Sequence, residues 1–436
     1  MDNQALHKEA IRILTSNRID QYTVPGKQLY PFQWNWDSGF TCLGLSKFNV
    51  DWVIEEYTSL FKGLWKNGLL PHIIFHSDHQ DGYFPNASYW KSDSFTHATD
   101  LVKTSGITQP PVHGFIFERM LDEHGDHKGL IDMIKRLFPG LLSHHEFLYR
   151  ERDPHGEGLV YIFHPWESGR DNSPVWDEIL ARMEVDQSQL PPYQRVDNLL
   201  ADPSHRPTDD DYMKYVFLME IGRRNGYHGQ EITDTSPFLV QDTLFNAVLI
   251  ASNESLIRIG KKLNLPTDGL EEKNQLAIKS YRSKLWNDDI GNFVCYDLKA
   301  EKQLCYDEIG GVTSLFANIP DESKASRIHK NLKSLITEDE LLLYPSFDPN
   351  SALFDPKRYW KGPIWPQMNW LVSKGLKKYG YIESSEKVKG DIIKLVSELG
   401  FYEYFDPRKS AQSGLSAGYG GNEFSWTSSV ILDLTT

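Results

Sequence analysis

Apolar residues recur along this chain with a period near 3.6 and seldom alternate one by one. Over 51–68, Val53, Tyr57, Leu60, Phe61 and Leu64 fall at i, i+4, i+7, i+8 and i+11, one stripe of an amphipathic helix that Gly68 ends. Similar stripes predict helices over 112–122 and 128–150, the second broken near Pro139 and Gly140, and over 174–184 after a Ser-Pro start. Thr208 reads as an N-cap, with Asp209, Asp210 and Asp211 in the favourable first turn and Asn225-Gly226 as the stop. The pattern continues over 237–263, 268–286, 321–337, 363–379, 384–399 and 424–434, and only 292–297 with 302–307 reads as a short hairpin. About a dozen helices joined by alternately short and long connections predict an all-α fold of paired helices. No linker, low-complexity tract or repeat marks a boundary, so residues 1–436 read as one domain.

The long connections, 19–38, 69–111, 151–173, 185–207, 338–362 and 400–423, hold most of the Trp, Tyr, Gly and Pro, and long loops in a compact domain are usually functional. They are expected on one face. Aromatic residues make up 13% of the chain, with 12 Trp and 21 Tyr, many in connections where a core does not need them, which points to a carbohydrate-like ligand. Lys+Arg 46 against Asp+Glu 60 leaves a net charge of −14, a field that repels nucleic acid and anionic membrane. The N-terminus lacks a secretory pattern, and no run approaches the roughly 18 apolar residues of a membrane helix. Three scattered cysteines, Cys42, Cys295 and Cys305, fit a reducing compartment, so a cytoplasmic protein is expected.

Five segments offer chemistry. In QWNWDSGF, Trp34 and Trp36 present flat faces for a sugar ring and Asp37 a carboxylate for its hydroxyls; the bland alternative is a helix start capped by Asp37 or Ser38. In HPWESGRDNSPVWD, Glu167 and Asp171 lie in a loop beside Trp166, Gly169 and Trp176, where apolar walls raise a carboxyl pKa and make a general acid, unless Arg170 pairs with one of them. Arg206 precedes the capped helix and has the fork to hold a carboxylate or phosphate, or else pairs with Asp209 or Asp210. Tyr359, Trp360 and Trp365 cluster at a helix mouth, as binding rim or as core. Glu403 and Glu423 end a small-residue loop at 410–422, and either has the chemistry of a general base, with capping or a surface position as the alternative for Glu423. His72, His76 and His79 flank a proline in a loop, a poor metal pattern, and nucleotide motifs are missing, so cofactor-free chemistry is favoured.

Taken in order, WNWD at 34–37, WESGRDNSP at 166–174, RPTDDDY at 206–212, YWKGPIW at 359–365, EYFDP at 403–407 and FSWT at 424–427 resemble glycoside hydrolase family 63, especially its short bacterial mannosylglycerate and glucosylglycerate hydrolases. The resemblance runs from about residue 28 to 432 and implies an (α/α)6 barrel whose long loops form the active-site face. It also implies that Asp171 is the general acid and Glu403 the general base of an inverting hydrolysis, in which the two carboxyl groups stand roughly 6.5 to 9.5 Å apart. Trp34, Trp36 and Asp37 then surround the sugar, with Trp360 and Trp365 completing the enclosure and Trp166 and Gly169 on the acid's own loop. Tyr30, Tyr83, Gln109, Arg206, Tyr212 and Tyr359 match positions that hold glycerate. Arg170 stands outside the resemblance. The implied reaction is cleavage of 2-O-α-D-glucosyl- or mannosyl-D-glycerate, a small anionic glycoside, without metal or organic cofactor; homo-oligomer formation stays open. Three alternatives remain: hydrolysis of a neutral disaccharide or oligosaccharide, indifferent to Arg206; a sugar isomerase or epimerase relying on His72, His76 or His164; and a sugar-binding regulatory protein.

Overall fold

The computed structural model describes residues 1–76, 83–200, 202–334, 343–408 and 417–436. Its main helices are α1 (Asn3–Asn17), α2 (Asn35–Leu45), α3 (Val50–Leu60), α4 (His113–Glu123), α5 (Lys128–Arg152), α6 (Asp209–Arg224), α7 (Thr243–Leu263), α8 (Leu270–Lys284), α9 (Ile309–Val312, extended by a 3-10 turn Thr313–Leu315), α10 (Glu322–Ser334), α11 (Pro366–Lys378), α12 (Ile382–Leu399) and α13 (Ser425–Thr435). Six of them close a ring: α2 packs on α13 and α4, α4 on α7, α7 on α9, α9 on α11, and α11 on α13. Five further helices pack outside this ring, α1 on α13, α3 on α2, α5 on α4, α8 on α7 and α12 on α11. The fold is an (α/α)6 barrel.

Inner and outer helices differ as their positions require. Every residue of α2 is buried, because the ring covers one face and the outer layer the other. Gly44 permits its close crossing with α13, since a Cβ there would stand 2.6 Å from the Ser429 Cα. The outer α10 buries only Ala325, Ile328 and Leu332, one stripe facing inward.

Several expectations are corrected. Helix α5 runs unbroken through Pro139, which lies on the solvent side, where water satisfies the carbonyl left without an amide partner. Residues 240–241 are a strand, and Asp242 caps α7 by accepting from Phe245 N–H at 2.6 Å. The 174–184 segment is a 3-10 turn followed by Asp177–Ala181, and the hairpin is shorter than expected, Cys295–Asp297 on Lys302–Leu304, with Val240–Gln241 as a third strand. Helices α1 and α9 had no counterpart in the sequence reading. Thr208 caps α6 in a complete capping box with Asp211. Of the expected helix 321–337 and loop 410–422, residues 335–337 and 410–416 lie outside the described residues.

A second apolar cluster lies under the long connections. It joins Trp34, Trp90, Phe163 and Trp176 to Tyr212, Tyr215 and Phe245, and so gives the loops of this face a packed base.

Candidate active site

One cavity on the loop-bearing face is lined by Tyr30, Trp34, Trp36, Asp37, Tyr83, Gln109, Trp166, Gly169, Asp171, Arg206, Tyr212, Tyr359, Trp360 and Glu403. Tyr212 lies on α6, and the others come from six segments far apart in the chain, at or between the ends of the helices. Trp34 lies on a strand paired with Ile73–Phe75. The first turn of α2 then carries Trp36, whose N–H donates to Gln109 Oε1 at 3.2 Å, and Asp37. Neither Asp37 nor Ser38 is the cap: Trp34 takes that position without a side-chain bond, and the Ser38 hydroxyl donates to Glu56. Trp360 is held by its N–H on Asn172 Oδ1, 2.9 Å away, which ties it to the acid-bearing loop.

Trp365 does not line the cavity. It stacks flat behind Trp360, with ring centroids 3.8 Å apart, and donates its indole N–H to the Tyr359 carbonyl. It therefore stiffens the wall. Gly169 adopts φ +69°, and a Cβ there would stand 2.7 Å from the Trp36 ring, so only glycine lets the loop approach that indole.

Asp171 and Arg170 are adjacent in sequence but face different environments. The Arg170 guanidinium is buried between Asp242 and Glu308, and neither Asp171 nor Glu167 is its partner. Glu167 pairs instead with Arg152 at 3.4 Å and accepts from the Phe163 and Thr108 amides. Asp171 is thereby left without a salt bridge among the described residues. Burial lifts its pKa from 3.8 to about 7; Arg206 opposes the rise and the Glu403 charge adds to it.

Glu403 immediately precedes the strand Tyr404–Phe405, which pairs with Gly418–Tyr419. Its Oε1 accepts from Tyr30 at 2.9 Å and Tyr359 at 3.1 Å, and its Oε2 accepts from Gly421 N–H at 3.0 Å. Burial raises it above the usual carboxylate range, while Arg206 and these donors hold the rise in check. Asp37 is pushed well up by burial and by the Glu403 charge. Asp37, Asp171 and Glu403 thus share one aromatic-walled space with the Arg206 guanidinium, and their titrations are coupled. Glu423 is not among them: it is exposed and paired with Arg12.

Arg206 meets neither Asp209 nor Asp210, which pair with Arg195 and Lys214. Its Nε donates to Asp197 Oδ2 at 3.3 Å, its Nη1 to the Tyr30 hydroxyl at 3.4 Å, and the guanidinium lies 4.4 Å over the Tyr359 ring. Asp197, Phe424 and Trp426 also line the cavity and were not assigned to it from sequence. Trp426 lay in plain view in the FSWT segment, whereas Asp197 had no aromatic motif around it.

The histidines are poor bases. His72 reaches the cavity, but its Nδ1 bonds Ser105 at 2.6 Å and burial holds it well below its ordinary pKa. His76, on Gln33 and Ser59, falls to about 4, and His164, on the Tyr215 carbonyl, to about 3. His79 lies outside the described residues. Among the described residues no three His, Cys, Asp or Glu side chains form a metal-holding group.

Comparison with known proteins places this geometry. The chain is 36% identical to a mannosylglycerate hydrolase of Rubrobacter radiotolerans over 98% of its own length and 96% of the relative's. It is 30% identical to a glucosylglycerate hydrolase of Mycolicibacterium hassiacum, covering 98% and 97%. The crystal structure of the GH63 mannosylglycerate hydrolase of Thermus thermophilus in complex with Tris and D-glycerate superposes with a TM-score of 0.91 at 36% identity, over 99% of this chain and 100% of that one. The model of the mannosylglycerate hydrolase MGH1-like glycoside hydrolase domain matches residues 30–427, and the chain belongs to that family.

Proposed function

We propose that this glycoside hydrolase cleaves 2-O-α-D-mannosyl- or glucosyl-D-glycerate with inversion, residues 1–436 acting as one domain. The observation that carries the reading is one cavity uniting Asp171, a carboxyl whose pKa burial raises, with a hydrogen-bonded Glu403 and the cation Arg206 between aromatic walls. Asp171 gives its proton to the bridging oxygen as the anomeric C–O bond breaks. Glu403 takes a proton from the water whose oxygen forms the new bond on the opposite face. Asp37 and the indoles of Trp34, Trp36 and Trp360 grip the sugar, and Asp37 bonds tighten as the ring flattens. Arg206, Tyr30, Tyr359, Gln109, Tyr83 and Tyr212 receive the glycerate. The names of the relatives and the D-glycerate in the similar Thermus structure support this assignment of the aglycone.

A cytoplasmic site of action accords with three unpaired cysteines; no helix among the described residues is long and apolar enough to cross a membrane. The test is incubation with both glycosylglycerates and with neutral α-glucosides, followed by proton NMR. Release of the β-hexose first, from a glycerate-bearing substrate, is the expected result. Arg206→Ala should cost that substrate about 10- to 100-fold in kcat/KM, the worth of a charge-assisted hydrogen bond. α-Hexose first, or equal losses on a neutral glucoside, would contradict the reading.

A further inference from the structure

The aglycone end of the cavity holds a carboxylate that the proposed reaction does not use. Asp197 opens the short helix Asp197–Leu200, and its side chain lies between two arginines. Arg195 grips it in a fork, Nε on Oδ1 at 3.1 Å and Nη2 on Oδ2 at 2.7 Å, and Arg206 Nε adds a third contact at 3.3 Å. All three side chains are largely shielded, at 9%, 16% and 10% exposure for Arg195, Asp197 and Arg206. Arg195 is itself fixed, stacked 4.5 Å over Tyr212 and bonded through Nη1 to Asp209 at 2.8 Å. The chain of contacts therefore runs from helix α6 through Arg195 and Asp197 to Arg206.

That chain answers a physical problem. The guanidinium ends a long side chain with many rotamers, so without a fixed partner its fork of donors has no set direction. Asp197 engages the Nε edge, and Tyr30 engages Nη1. Among the described residues no acceptor meets Nη2, so donors remain for an incoming carboxylate.

We propose that Asp197, backed by Arg195, is a positioning and specificity-determining residue: it fixes the guanidinium of Arg206 by its Nε edge and so aims the remaining donors at the carboxylate of an anionic aglycone. The inference rests on the glycosylglycerate reading above. It predicts selection by geometry, because Asp197 lowers the net positive charge of the subsite while orienting what remains.

The experiment compares wild type with Asp197→Asn, Asp197→Glu and Arg195→Gln on a glycosylglycerate and on a neutral α-glucoside, with circular dichroism as the folding control. Asp197→Asn should raise KM for the glycosylglycerate about tenfold or more, with kcat changed less, and its loss in kcat/KM on the neutral glucoside should be at least about fivefold smaller. Asp197→Glu should recover part of the loss, and Arg195→Gln, which acts one residue further out, should show a smaller KM rise of the same sign. A lowered KM in Asp197→Asn would mean that the carboxylate only weakens anion binding, and equal losses on both substrates would mean a purely structural role; either overturns the proposal. If Asp197→Asn fails to fold, the same split or its absence in Asp197→Glu and Arg195→Gln decides. Wild type inactive on every glycosylglycerate overturns the substrate reading and this inference together, whereas active wild type with indifferent variants overturns this inference alone.

Discussion

The pH dependence of hydrolysis follows from where Asp171 sits. A carboxyl at its ordinary 3.8 would be protonated in roughly one molecule in a thousand at neutral pH; at about 7 it is protonated in about half, so burial enriches the acid form several hundredfold. In the role proposed for it, a general acid, Asp171 acts only while it holds its proton. The alkaline limb of kcat/KM should therefore turn down near pH 7 and fall about tenfold per pH unit above it, while the acid limb follows protonation of Glu403. Arg206 pulls Asp171 down, so removing that cation should move the alkaline limb upward when a neutral glycoside is the substrate. Asp171→Asn should cost about 10²- to 10⁴-fold on a substrate with a poor leaving group and far less on a glycosyl fluoride, whose departing fluoride needs little proton assistance. Release of hexose between pH 4 and 9 measures all of this. An alkaline limb above pH 9, or equal losses of Asp171→Asn on both substrates, would refute the reasoning.

Two further outcomes test the surroundings of the site. Tyr30→Phe removes one of the two hydroxyl donors that hold the Glu403 pKa down, so that pKa should rise and the acid limb of kcat/KM shift to higher pH; an unmoved limb would deny the tyrosine that influence. Arg170→Met leaves Asp242 and Glu308 buried together without their cation and should cost about 3–5 kcal/mol in chemical denaturation, with unchanged stability as the contrary result.

The local grammar of the chain was sufficient for the helical class, the capped start of α6 and the residue types that line the cavity. Each depends on neighbours within a turn or two: a stripe at 3.6-residue spacing, a Thr followed by three Asp, indoles beside a carboxylate. The resemblance of the ordered motifs extended this to the barrel and to a set of cavity residues of which only Trp365 lies behind the wall. What sequence left open were choices among partners. Arg170 had Glu167 and Asp171 within three residues, yet it pairs with Asp242 and Glu308 from distant elements; Arg206 had Asp209 and Asp210 close by, yet it meets Asp197. A charged side chain takes the partner that packing leaves in reach, and in a shielded interior the few ångströms that decide this are set by how the barrel closes. The raised pKa of Asp171 is of the same kind, since it depends on the walls and charges that separate parts of the chain assemble around one carboxyl group.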